Sequence, residues 1–152
     1  MFTDKLLRVS EDQALQMNAT TALSSNSIDL SVARDIGEGK ELFFNFAITE
    51  AIPQTTASLV FEIVIADNAA LDSNLVVLIQ TPAIAYTALT LGTNVVVPIP
   101  PKVGSLGKRY LGVRYTTGGN ATGLTGKVTA DVVETIQDGK KFYPSGIASL
   151  VP

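Results

Sequence analysis

Between Lys40 and Asp67 the chain reads KELFFNFAITEAIPQTTASLVFEIVIAD, and four of its six phenylalanines fall inside that window. Leu42, Phe44, Phe46 and Ile48 alternate with Phe43, Asn45, Ala47 and Thr49. After a turn of Pro, Gln, Thr and Ser, Leu59, Phe61, Ile63 and Ile65 alternate with Val60, Glu62, Val64 and Ala66. Successive side chains of a strand point to opposite faces, so period two in aromatic and β-branched residues specifies two strands. Their apolar load makes them the expected centre of the core. A chain organised around this pair is confined to β architectures, and nothing in the pair specifies an activity.

Residues 1–9 suit a short strand or an extended arm, with Phe2, Leu6 and Leu7 to bury. Ser10–Ser27 is polar and reads mainly as loop, and Ser27–Ser31 as a short strand. Glycines and alternating charges make Ala33–Gly39 a turn. Asp67 is placed to cap one helical turn over Asn68–Leu71. Leu75–Thr81 is a strand ended by Pro82, and Ile84–Thr87 a shorter one. Pro98 puts the strand Asn94–Ile99 at a sheet edge or makes it end there, because proline cannot donate to a ladder. Arg109–Thr117 and Gly126–Ile136 are strands flanking a glycine-rich hairpin loop, Gly118–Gly123. From Gln137 the chain turns polar and then apolar, like a tail laid against something. About eight antiparallel strands with hardly any helix pack best as two sheets. The expected fold is therefore all-β, a jelly-roll or β-sandwich in one domain over residues 1–152. Extended arms are expected at residues 1–9 and 138–152.

The absences matter as much. With no Cys there are no disulfides or thiolates, and with no His the usual metal ligand and neutral-pH base are missing. No apolar run approaches the ~20 residues of a membrane-spanning helix. The N-terminus has no apolar core after its charges, so no secretory signal is expected. Asp67, Asp72 and Asn74 miss the calcium-loop spacing, and a capped turn explains them better. Gly37-Glu38-Gly39 precedes a strand with Leu42 at the third glycine position, unlike a dinucleotide motif. Glu62, mid-strand between apolar neighbours, reads as a solvent-facing residue on one sheet face or, alternatively, as a half-buried carboxylate of shifted pKa. The two Asn-Ala-Thr sites, at Asn18 and Asn120, read as accidental glycosylation matches. No catalytic, cofactor-binding or metal-ligating residue is assigned.

Net charge is −3, unevenly spread: residues 1–100 carry 4 basic and 11 acidic side chains, residues 101–152 carry 7 and 3. Either the two halves mix over one surface, or they form faces of opposite sign suited to docking between subunits. Lys108, Arg109, Arg114 and Lys127, interleaved with Tyr110 and Tyr115, suggest a basic patch. The acidic total and an aromatic content of 7% argue against nucleic acid.

Ser27-Ile28-Asp29-Leu30, Ala33-Arg34-Asp35-Ile36-Gly37-Glu38-Gly39, Asp67-Asn68-Ala69-Ala70-Leu71 and Ile99-Pro100-Pro101 follow one another in an order that resembles the capsid cement (decoration) proteins of tailed bacteriophages. Gly107 to Tyr115 (GKRYLGVRY), Gly126 to Ala130 (GKVTA) and Gln137 to Gly146 (QDGKKFYPSG) extend the likeness over most of the chain from about residue 27. The resemblance implies a jelly-roll virion protein, made in host cytoplasm, that oligomerises on the capsid exterior and clamps neighbouring major capsid subunits. It implies no enzyme and no cofactor. The implied partners are the major capsid protein and further copies of itself, as dimer or trimer, with neither nucleic acid nor membrane. Candidate contacts are Phe2 in the N-terminal arm and Lys140, Lys141, Phe142, Tyr143 and Pro144 in the tail; alternatively, Phe142 and Tyr143 seal the protein's own sheet edge. Arg34 and Asp35 suit an inter-subunit ion pair or a local salt bridge. Competing readings are a glycan-binding module on the virion surface, which needs exposed tyrosines, and a tail or baseplate component.

Overall fold

The computed structural model of the chain describes residues 5–15, 21–33, 35–36, 40–52, 57–101, 103–119 and 125–134. Its strands are β1 (Arg8–Ala14), β2 (Thr21–Leu23), β3 (Ile28–Asp29), β4 (Phe43–Glu50), β5 (Ser58–Ala66), β6 (Val76–Gln80), β7 (Ile84–Ala85), β8 (Asn94–Pro98), β9 (Tyr110–Gly118) and β10 (Lys127–Val133). One sheet runs β1-β10-β4-β8 and the other β2-β9-β5-β6, with β3 also on β9 and β7 also on β5. Every pairing is antiparallel.

β2 and β3 are two pieces of one interrupted edge strand, as are β6 and β7. At the first break the backbone amide of Ser24 donates to the Val113 carbonyl at 2.8 Å, and the Ser24 hydroxyl accepts the Val113 amide at 3.2 Å. At the second, Thr81 does the same for Phe61 before Pro82 interrupts the ladder. Counting each broken edge once leaves two four-stranded sheets in the interleaved order of a jelly roll.

β4 and β5 do not pair with one another. They lie in different sheets, so the chain changes sheet between them. Each is an interior strand with hydrogen-bonded neighbours on both sides. Their aromatic rows therefore meet face to face: the rings of Phe46 and Phe61 stand 4.8 Å apart, and the Tyr115 ring meets both edge-on at 6.2 and 6.0 Å. All three side chains are fully buried. The strands on either side of Gly118–Gly123 likewise form no hairpin, because β9 pairs with β2, β3 and β5 while β10 pairs with β1 and β4.

Three further expectations need correction. Arg8–Ala14, divided between the expected arm and the expected loop, is a strand whose two register shifts and positive φ at Asp12 break the alternation that reveals strands. Its polar residues are satisfied internally: the Tyr115 hydroxyl donates to Ser10, Ser10 to Gln13, and Gln13 to the Leu23 carbonyl. Past Ala85 the chain forms a 3-10 turn, Tyr86–Ala88, in place of more strand. Finally, in the 67–74 turn the backbone amides of Asp72 and Ser73 donate to the Asn68 side-chain oxygen, while the Asp67 carboxylate accepts the Asn74 side-chain amide at 2.7 Å instead of capping a helical turn. That turn presses Leu71, buried and at φ 59°, onto the outer face of β9, where a Cβ on Gly112 would lie 2.3 Å from Leu71 Cδ1. Only glycine fits there.

Candidate interaction face

The strand order brings cations and carboxylates from distant parts of the chain together. β9, the two residues that precede it and β10 carry four of the seven cations after residue 100, and the two strands lie between strands from the acidic half. Lys108 pairs with Asp67 at 2.9 Å, Arg109 with Asp29 through two bonds of 2.6 Å, Arg114 with Glu62, and Lys127 with Glu50 at 2.8 Å. Arg8 reaches Asp131 at 2.7 Å and Lys40 reaches Glu134 at 2.5 Å. Each of these six pairs joins a residue before 101 to one after it, so the two halves neutralise each other. Two faces of opposite sign do not form from these groups.

The suggested basic patch is dispersed by the same pairing. Tyr115 lies in the core, and burial pushes its phenol well up. Tyr110 is half-buried beneath the Arg109 guanidinium, 5.2 Å from its ring centre. Glu62 is not solvent-facing: it is buried, held by Arg114 and by the Thr116 hydroxyl at 2.9 Å. The Arg109 fork holds the Asp29 carboxyl down to about 2, and Lys108 with Asn74 holds Asp67 below its ordinary value. Among the described residues no group of His, Cys, Asp or Glu is arranged to hold a metal.

What the described surface does offer is an apolar seam. β6 and β8 are the edges of their respective sheets. Between them, at the end where β4 begins and β10 finishes, lies a groove of about 280 Å³ lined by Glu41, Leu42, Ile79, Pro98, Ile99, Pro100 and Pro101. Glu41 stands exposed on its rim. β6 contributes half-buried Val76, Val77, Leu78 and Ile79 and no charge. Next to the groove, residues 35–36 are tied to the segment after β8. The Ile36 amide donates to the Pro101 carbonyl, and the Gly104 amide donates to the Asp35 carboxylate at 2.8 Å. Val32 and Leu106, in the loops on either side of these ties, are exposed.

Of the contacts suggested by sequence, only Asp35 lies among the described residues, and its carboxylate serves this local tie. Phe2, Arg34, Lys140, Lys141, Phe142, Tyr143 and Pro144 lie outside them, as do both Asn-Ala-Thr asparagines. Sequence reasoning missed the groove. Its available signals were the Ile99-Pro100-Pro101 run and the unbroken apolar run of β6, read simply as a strand end and a strand.

A family model described as Bbp16 matches residues 9–132, from the second residue of β1 almost to the end of β10. The chain belongs to the Bbp16 family. This family is phage-associated. No curated protein matches the chain. Among solved structures, one chain of a structure described as infectious bursal disease virus, Gx strain, is similar over 88% of this chain at 12% identity, with a TM-score of 0.42. The aligned region spans about a third (32%) of that viral chain.

Proposed function

We propose that this Bbp16-family protein is a structural component of a phage virion that decorates the outside of the head and bridges neighbouring major capsid subunits. Membership in a phage-associated family carries the reading. The jelly roll gives it physical support. Six ion pairs join distant segments of the chain and the aromatic centre joins sheet to sheet, so strands from both ends of the described chain belong to one packed domain, the kind of scaffold a bridging role needs. Many copies on one particle make individually weak contacts collectively strong. Phe2, Arg34, Lys140 and Lys141 are the proposed shell contacts, and the protein is proposed to act as a dimer or trimer.

The glycan reading draws less support, because Tyr86 and Tyr115 are buried and Tyr110 is covered by Arg109. The test is to mix purified protein with undecorated heads and image them. Added density over seams between capsid subunits, with heads that survive higher temperature, is the expected result. Heads that gain no density overturn the proposal.

A further inference from the structure

The groove between β6 and β8 has the marks of a surface that is covered. Among the described residues its lining is leucine, isoleucine and proline, with one carboxylate, Glu41, on the rim. At about 280 Å³ it falls just below the ~300–1,000 Å³ typical of small-molecule pockets. It suits ring-sized side chains, and its described lining does not converge the polar groups that orient a cofactor. Beside it, β6 presents an uncharged apolar edge, the kind of edge that native proteins cover or blunt with charge.

The course of the chain indicates the occupant. β10 ends at Val133, opposite Phe43 of β4, and Phe43 lies opposite Pro98 of β8. Glu134 is then held by Lys40, the neighbour of the groove residues Glu41 and Leu42. The chain therefore leaves the described structure two strand positions from the groove, roughly 10 Å at ordinary strand spacing. From Glu134 to Phe142 the chain extends up to ~28 Å, so the reach is ample. The sequence that arrives is Lys140-Lys141-Phe142-Tyr143-Pro144: two cations for the acidic rim, then two aromatic rings and a proline for an apolar floor.

We infer that Phe142, Tyr143 and Pro144 seat in the β6–β8 groove of their own chain, closing the open side of the sandwich and holding Lys140 and Lys141 at its rim. Attachment to the same chain gives the tail an effective concentration in the millimolar range, well above that of a free partner. The inference concerns the isolated protein and does not depend on head decoration.

Because the chain has no cysteine, one engineered pair reports the contact without interference. The full chain carrying Pro100→Cys and Tyr143→Cys is oxidised at low micromolar concentration. It is compared with Leu91→Cys plus Tyr143→Cys, since Leu91 is exposed at the far end of the sandwich. The expected result is an intramolecular disulfide forming at least tenfold faster in the first pair than in the second. Equal rates overturn the inference, and a covalent dimer as the main product overturns it in favour of a second copy as occupant. In a cysteine-free background, Phe142→Asp should speed amide exchange at Val76–Ile79 while leaving β9 protected; unchanged exchange at β6 also overturns it. Neither measurement uses heads, so failure here leaves the decoration proposal to its own test.

Discussion

Replacing Phe46 and Phe61 with leucine, singly and together, tests the packing of β4 against β5. The two rings lie 4.8 Å apart across the sheets, fully buried, and both meet Tyr115 edge-on. Aromatic pairs in such geometry contribute ~0.5–1.5 kcal/mol beyond the area they bury. Truncating a buried Phe to Ala costs ~3–5 kcal/mol, a dangerous fraction of a total stability of ~5–15 kcal/mol, so leucine keeps every variant folded. Unfolding in guanidinium, followed by far-UV circular dichroism, gives the four stabilities of the cycle. The expected coupling is about 1 kcal/mol. Phe43 supplies the control: it lies on the same strand but is only half-buried, and Phe43→Leu should add to Phe61→Leu within ~0.5 kcal/mol. If Phe46 and Phe61 prove equally additive, their rings do not touch, and the placement of the two strands in opposite sheets is wrong.

Gly112→Ala should cost ~1–3 kcal/mol, because its Cβ meets Leu71 Cδ1 at 2.3 Å and Ser24 Oγ at 2.9 Å; Leu71→Ala in the same chain should recover part of that cost and leave the Ser24 share, which thermal melts can check. Tyr86→Phe should leave the fold unchanged and raise stability by ~1 kcal/mol, since the Tyr86 hydroxyl is buried without a partner among the described residues and burial pushes its phenol up to about 12; a loss of stability would reveal a hydrogen bond there. Asp29 has its folded-state pKa depressed to about 2, so the unfolded chain binds more protons between there and its ordinary value near ~3.9. Its contribution is present above that window and is lost as pH falls through it. Asp29→Asn should therefore lose less stability than the parent on acidification from about pH 4 to about pH 2, measured by denaturant titration at each pH.

The regular interior strands were legible from sequence. β4 and β5 alternate cleanly because one face of each meets the other sheet, and Pro98, read as marking an edge or an end, is the last residue of an edge strand. The alternation could not show which strands pair, because it records only which face is buried. β4 and β5 look the same whether they pair in one sheet or lie in two, and so do β9 and β10. β1 escaped detection because its bulges rotate Ser10 and Gln13 inward to satisfy the Tyr115 hydroxyl and the Leu23 carbonyl, so polar residues occupy core positions. Glu62 was misread for a related reason. Its partners, Arg114 and Thr116, lie more than fifty residues away, and only the β5–β9 pairing brings them together. The groove needed both sheet edges in place before Leu42, Ile79 and Pro101 became neighbours.

The interleaved strand order also governs when this protein can fold. β10 occupies the slot between β1 and β4, and β9 the slot between β3 and β5, so each sheet lacks a central strand until the last third of the chain has been made. A ribosome that has released only the first hundred residues holds strands whose neighbours do not yet exist, with their backbone groups and apolar faces open to other nascent chains. Such long-range pairing folds slowly and is vulnerable to aggregation. Commitment to the native state thus waits for β10 to emerge, and C-terminal truncations that cut into it should yield insoluble protein instead of a weakened sandwich.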